Sequence, residues 1–335
     1  MKVPPAIRWS DGRLTLLDQR RLPEVVDYLD IPDIPSAIDA IRTLAVRGAP
    51  AIGIAAAYAL AVAARNAGDQ AAVAGVLRDG GDALIAARPT AVNLRWAVER
   101  LRERGAAEPD PAALAAEAEA IHREDAAQCR AIGEHGRGLI AREANVLTHC
   151  NAGALAVSEL GTATAPLYLN HDAGVPFHVY VDETRPLLQG ARLTAWELDR
   201  AGIDVTLICD NVPASLMAAG KIDLVIVGTD RVTRNGDVVN KIGTLNLAVL
   251  AHHFGVPFYV ACPASTYDPD TASGQDVTIE QRPDDEVRRG ESAAVTAYNP
   301  AFDVTPARLV TGIITDRGIA EAPLESTLKN LFRKR

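Results

Sequence analysis

Three kinds of residue in this chain are placed where chemistry is possible: a carboxylate, a thiol and a set of anion-binding groups. Asp230 follows the apolar run at 222–227, which carries four β-branched residues and is bounded by Gly228. That run is expected to be a strand buried on both faces, with Asp230 just past its carboxyl end, where open α/β sheets bind ligands. Asp230 is the candidate acid/base. A polar loop is expected to follow, ending in Asn240-Lys241, and Ile242-Gly243-Thr244 opens a helix. An amide, a lysine and a helix amino terminus at one place make an anion site. Cys150 ends another apolar run, NVLTHC, and is followed by Asn151-Ala152-Gly153, expected to lead into a helix whose amino terminus would favour a thiolate.

Two further anion-binding places lie earlier. In Val46-Arg47-Gly48-Ala49-Pro50, glycine and proline stop one helix and start the next, leaving the Arg47 side chain and loop amides to meet an anion. Arg88-Pro89-Thr90 repeats the arrangement, with Thr90 as the expected cap of the following helix. After FHVYV come Asp182, Glu183 and Arg185, where Arg185 is expected to pair with one of the carboxylates, and Gln189-Gly190 opens a helix.

The elements that must position these groups divide the chain in two. Residues 1–120 read as a hairpin turning at Asp11-Gly12 followed by alanine-rich helices, one capped by Ser36. A connecting helix is expected over 121–144. From 145 to 335 strands and helices alternate, the pattern of a parallel sheet covered on both faces. The fold class is therefore α/β: a helical amino-terminal domain with a small antiparallel sheet, then a parallel-sheet domain.

Composition narrows the function. The chain has 335 residues, 48% of them hydrophobic, and a net charge of −9. That balance is wrong for a nucleic-acid surface, and no charge-free apolar run is long enough to span a bilayer. Asn-Ala-Gly-Ala-Leu-Ala after Cys150 lacks the spaced glycines of a dinucleotide fingerprint. No serine sits in a nucleophile elbow and no His, Cys or carboxylate set has zinc spacing, so neither hydrolase nor metal chemistry is expected. The cysteines show no CxxC spacing and no signal peptide opens the chain, which points to the cytoplasm; Cys209 and Cys262 read as small buried hydrophobes.

The strings RGAPAIGIAAAYALA, RPTAVNL, LTHCNAGALA, VYVDETRPLLQGARLTAWEL, NGDVVNKIGT and NPAFDVTP, in order over nearly the whole chain, resemble the methylthioribose-1-phosphate isomerase family. The resemblance implies a helical domain on a Rossmann-like domain, a homodimer, no cofactor, and isomerisation of a 5-methylthioribose 1-phosphate to the corresponding ribulose in methionine salvage. It implies that Asp230 and Cys150 are the catalytic pair, Asp230 the proton donor. Arg47, Gly48, Ala49, Arg88, Gln189, Asn240 and Lys241 are implied as substrate contacts. The same fold serves isomerases of ribose 1,5-bisphosphate and 5-deoxyribose 1-phosphate, and regulatory subunits of a translation-initiation exchange factor. Arg95, Arg234, Leu245 and residues 157–160 depart from the family pattern, which leaves the group at the sugar's 5-position open.

Overall fold

The computed structural model describes residues 3–333 apart from 90, 289 and 291–293. Its chain forms two compact units, Met1–Cys129 with Ala154–Gly161, and Arg130–Gly153 with Thr162–Arg335.

The first unit opens with strands β1 (Ile7–Ser10), β2 (Arg13–Leu17) and β3 (Tyr28–Ile31) in one antiparallel sheet. Asp11 and Gly12 have φ of 52° and 72°, the two left-handed residues of a type I′ turn. The first helix, Ile34–Arg42, is capped by Asp33, whose carboxylate accepts the Ser36 amide at 2.8 Å. Ser36, expected as the cap, instead lies inside the first turn. Helix Ala49–Arg65 is buried almost all round, because alanine lets neighbouring backbones come close. At Gly53 the approach is closest, since a Cβ there would lie 2.8 Å from the Asn93 carbonyl of helix Val92–Ala107. Thr90, the cap expected for that second helix, lies outside the described residues.

The second unit holds a seven-stranded sheet made of β4 (Ala144–Thr148), β5 (Phe177–Asp182), β6 (Val205–Ile208), β7 (Leu224–Val227) and three later strands. Beyond β7 come β8 (Arg231–Thr233), β9 (Val238–Lys241), β10 (Phe258–Ala261) and β11 (Tyr267–Asp268). The last three are β12 (Phe302–Thr305), β13 (Gly312–Thr315) and β14 (Gly318–Glu321). The large sheet has the order β14-β13-β10-β7-β4-β5-β6, with only β14 antiparallel to its neighbour. Its six parallel strands thus run third, second, first, fourth, fifth, sixth, the order of a doubly wound sheet. All residues of β7, β10 and β13 are buried, which is why they read as unbroken apolar runs.

Three expectations change here. The stretch after Asp230 is not a loop: β8 and β9 form a hairpin around Asn235-Gly236, extended by β11 and β12 into a second, four-stranded sheet. No α-helix follows Asn151 directly. A single 3₁₀ turn, Ala154–Ala156, comes first, and the next α-helix is Ala165–Asp172. Cys209 is exposed, because β6 is the outer strand of the large sheet and has a neighbour on one side only. Cys262, beyond the inner strand β10, is buried as expected, and burial pushes its thiol well above the usual range.

Candidate active site

Cys150 and Asp230 lie two and three residues past the ends of β4 and β7, and those strands are parallel neighbours, Val146 opposite Leu224 and Leu147 opposite Val225. Between the same two strands the sheet order reverses: β5 and β6 extend it one way, β10 and β13 the other. In sheets of this order the chain leaves the two central strands toward opposite faces, and their carboxyl ends are where such sheets bind ligands. The two exits touch. A Cβ on Gly228 would stand 2.5 Å from that of Ala152.

Cys150 is nearly buried and holds φ of 61°, a left-handed conformation that costs a non-glycine residue about 1 to 3 kcal/mol. Its backbone is clamped on both sides. The amide donates to Thr184 Oγ1 at 2.8 Å, and Thr194 Oγ1 donates to its carbonyl at 2.6 Å. Asn151 Nδ2 in turn donates to Thr194 Oγ1 at 3.0 Å. Thr184 is itself left-handed, with φ of 62°, and is anchored by Asp210, whose two oxygens accept the Thr184 and Arg185 amides at 2.7 Å each. Asp210, not a helix terminus, is thus the fixed point behind this loop. The Arg185 guanidinium does not pair with Asp182 or Glu183; it donates to the Val287 carbonyl at 2.8 Å.

Asp230 is half-buried, and its amide donates to Val239 O of the β8–β9 hairpin at 3.0 Å. Thr229 Oγ1 lies 2.8 Å from the Val239 and Arg231 carbonyls and closes the same turn. The hairpin carries Asn240 and Lys241 back to the start of helix Thr244–Phe254. Asn240 is buried and donates to Thr244 Oγ1 at 2.9 Å, while the Lys241 ammonium stands 4.6 Å over the Phe302 ring. The helix terminus expected to meet an anion is already met from within. Asp303 accepts the Gly243 amide at 2.8 Å and the Leu245 amide at 3.1 Å. Burial pushes the Asp303 carboxyl up to about 6, against the pull of those two amides and of His149 and Lys241.

Gln189 follows β5, and the backbone at Gly190 is pressed onto the Asp182 carbonyl. Gln189 is 7% exposed, and its Oε1 has no hydrogen-bond partner among the described residues. A buried amide oxygen without a donor is uncommon.

His149, absent from the sequence expectations, and Asp182, expected there only as a partner of Arg185, link these pieces. His149 Nδ1 is 3.0 Å from Asp182 Oδ2, and Nε2 is 2.9 Å from Ile242 O. Burial works against the imidazolium, yet the Asp182 hydrogen bond and charge outweigh it and raise the His149 pKa; burial likewise raises that of Asp182. His149, Asp182 and Asp210 bring ligand-type atoms within 4.8 Å of one another. Both histidine nitrogens and both Asp210 oxygens are already hydrogen-bonded, which describes a proton-sharing pair with an anchor rather than a metal cage. The only sequence trace of the pair was a histidine before Cys150 and an acid closing β5.

The remaining candidates belong to the first unit. Gly48 has φ of 98°, and a Cβ there would run into the Ala156 backbone, so both torsion and space require glycine. Ala49 starts helix Ala49–Arg65, and Arg88 ends helix Gly81–Ala87, its carbonyl accepting the Ala91 amide at 3.0 Å. The 154–161 segment that Gly48 abuts is pinned by Gln19 Nε2 on Leu155 O at 2.8 Å and by Asp125 Oδ2 on the Ser158 amide at 2.8 Å. Arg47, Gly48, Ala49 and Arg88 thus stand in one unit, and Cys150, Gln189, Asp230, Asn240 and Lys241 at one end of the large sheet in the other.

A doubly wound sheet with a thiol and a carboxylate at its order reversal places the chain among α/β proteins, and comparison with known proteins narrows the class. Residues 45–322 match the Initiation factor 2 subunit family, to which the chain belongs. It is 54% identical over 327 residues to a methylthioribose-1-phosphate isomerase of Gemmatimonas aurantiaca, covering 95% of this chain and 94% of the relative. A 5-deoxyribose 1-phosphate isomerase of Petrotoga mobilis is 48% identical over 343 residues, covering 98% and 99%. Among solved structures, 5-methylthioribose 1-phosphate isomerase from Pyrococcus horikoshii superposes with a TM-score of 0.93 at 40% identity, over 99% of this chain and 96% of that one.

Proposed function

We infer that this chain is an aldose–ketose isomerase converting 5-methylthioribose 1-phosphate to 5-methylthioribulose 1-phosphate, a step of methionine salvage, with Asp230 as acid and Cys150 as its partner. The observation that carries the reading is the pair of strand ends: a carboxylate and a thiol at adjacent exits of the reversal point, in contact through Gly228 and Ala152. Identity of about half to relatives bearing that name, over nearly the full length, supports the substrate class.

The chemistry asks for this arrangement. Phosphate on the anomeric oxygen keeps the sugar ring from opening by itself, so an acid must protonate the ring oxygen as its bond to C1 breaks. The C2 hydroxyl gives up a proton in exchange, and the hydrogen on C2 moves to C1, so no atom or electron is gained overall and no cofactor or metal is required. Half-burial gives Asp230 access to a ring oxygen while limiting water. Cys150, held rigid by two threonine hydroxyls, is placed either to take the C2 proton as thiolate or to wall the path of a hydride. A positioned acid/base contributes roughly 10²- to 10⁴-fold to such a step.

Arg47, Gly48, Ala49, Arg88, Gln189, Asn240 and Lys241 are the proposed substrate contacts. Gln189 carries the clearest structural mark, an amide oxygen waiting for a sugar hydroxyl. Arg47, Arg88 and Lys241 are the candidate cations for a phosphate on a chain of net charge −9, a charge-assisted bond contributing about 1.5 to 3 kcal/mol. We further read the large sheet as Rossmann-like, the assembly as a homodimer and the location as cytoplasmic. Among the described residues no helix is long and apolar enough to cross a membrane.

The test is turnover by the purified protein of 5-methylthioribose 1-phosphate and 5-deoxyribose 1-phosphate, with the ketose product followed by NMR. The expected result is conversion of both, faster with the methylthio sugar. Faster conversion of the deoxy sugar moves the assignment to that substrate, which the relative from Petrotoga mobilis favours. Conversion of neither sinks the assignment to these two sugars and leaves an isomerase of ribose 1,5-bisphosphate or a non-catalytic counterpart of the initiation-factor subunit that the family's description names. Solvent deuterium at C1 of the product excludes an exclusive hydride shift, and its absence counts against a freely exchanging base.

A further inference from the structure

His149 and Asp182 take no part in the chemistry above, yet they are among the most buried polar side chains of the molecule, 2% and 1% exposed. Their hydrogen bonds fix how many protons they hold. Ile242 O can only accept, so His149 Nε2 carries a hydrogen. Nδ1 and Asp182 Oδ2 then share a second one, either as imidazolium on carboxylate or as carboxylic acid on imidazole, and both forms are neutral overall. The pair is a two-proton link with no net charge, which suits a buried place.

What it links is the site. On one side His149 is the residue before Cys150. On the second, Asp182 ends β5, and its carbonyl accepts from Thr184 Oγ1 at 3.1 Å, the hydroxyl that takes the Cys150 amide. On the third, Ile242 is the residue after Lys241. Gly243 has φ of 105°, and a Cβ there would lie 2.8 Å from His149 Cε1, so this loop is seated directly on the imidazole ring. The charged groups around the pair are Asp210 and Glu183 on the β5–β6 side and Asp303, itself facing Lys241, on the hairpin side.

We propose that His149 and Asp182 are positioning residues for the isomerase reaction: their shared-proton hydrogen bond holds the Cys150 backbone in register with the Asn240–Lys241 end of β9. The proposal rests on the functional reading above for its kinetic arm only.

The experiment uses the full chain with Asp182→Asn and Asp182→Ala. An asparagine amide can donate to Nδ1 while Nε2 stays on Ile242, so the hydrogen bond survives without the charge; alanine removes it. A misplacement of the order of 1 Å costs about 100-fold. Asp182→Ala is therefore expected to lower kcat by about 100-fold with KM changed by less than about fivefold, and Asp182→Asn to restore at least about tenfold of that loss. A second readout does not depend on turnover. Site-resolved alkylation by iodoacetamide is expected to change several-fold at Cys150 in the alanine variant and to return toward the wild-type rate in the asparagine variant, with the exposed Cys209 unchanged in both. Equal kcat and equal Cys150 alkylation in the two variants overturns the proposal. If Asp182→Ala does not fold, His149→Gln replaces it, reaching Ile242 O but not Asp182; an unchanged kcat there overturns it too. If the wild-type chain turns over neither sugar, the functional reading falls while the alkylation arm still decides the positioning.

Discussion

Past β4 the chain is gripped by hydroxyls from two separate places, Thr184 beyond β5 and Thr194 in the turn after it, and is forced into a left-handed bend at Cys150. Past β7 it is gripped by its own next hairpin: the Asp230 amide and the Thr229 hydroxyl both reach back to Val239, nine or ten residues on. The thiol side is buried and built from long-range bonds, the carboxylate side half-open and built from local ones. A group that must only wall or accept at one carbon can be fixed in place. An acid that must follow an oxygen as a ring opens is better carried on a turn with some freedom. The difference between the two exits matches the difference between the two proposed roles.

The largest effect expected from breaking this comparison is at the reacting groups. Asp230→Asn and Cys150→Ser should each lower kcat by roughly 10² to 10⁴ while circular dichroism and thermal unfolding stay close to wild type. A variant near the wild-type rate removes that residue from the proposed pair.

Next comes the contact between the exits. Gly228→Ala puts a methyl 2.5 Å from Ala152 Cβ, so one loop must move. Overpacking of this kind costs about 1 to 3 kcal/mol in urea denaturation, and the accompanying shift between Cys150 and Asp230 should lower kcat more than it raises KM. An unchanged kcat means that the two exits need not keep their spacing.

Hydroxyl deletions compare the two grips directly. Thr194→Val leaves the Cys150 carbonyl buried without its donor and should cost about 1 to 3 kcal/mol, with Thr194→Ser recovering most of it. Thr229→Val acts at a half-buried turn that water can reach, and about 0.5 to 1.5 kcal/mol is expected. Equal losses contradict the contrast between a buried clamp and an open one.

The smallest effect is the pH dependence contributed by Asp303. A carboxyl raised from 3.8 to about 6 keeps its proton longer in the folded chain than in the unfolded one. Its contribution to stability therefore falls as pH rises from about 4 to about 6 and is level above that, by at most about 3 kcal/mol. Asp303→Asn should flatten this part of the stability profile relative to wild type in urea titrations at pH 4 and pH 7. An unaltered slope places the titration elsewhere.

Some of this was legible residue by residue. β7 announced itself as an apolar run, Asp11-Gly12 as a primed turn, and the alternation after residue 145 as a parallel sheet, because each is written in neighbours along the chain. The β8–β9 hairpin was read as a loop, since Arg231–Thr233 is three residues long and too short to show a period. The helix expected after Asn151 failed because alanine-rich sequence is helix-permissive and nothing local says that 154–161 is claimed by contacts with Gln19, Gly48 and Asp125. Cys209 was misread because an edge strand and an inner one are spelled alike.

The order of elements, the residue types at strand ends and the glycines that no other residue could replace were determined by the sequence alone, since propensity, turn chemistry and periodicity act over a few residues. Tertiary structure alone decided that Asp303 caps the helix after Lys241, that two threonines clamp Cys150, and that His149 shares a proton with Asp182. Those are bonds between residues tens of positions apart, and their partners are chosen by which strands the sheet sets side by side, something no local pattern records.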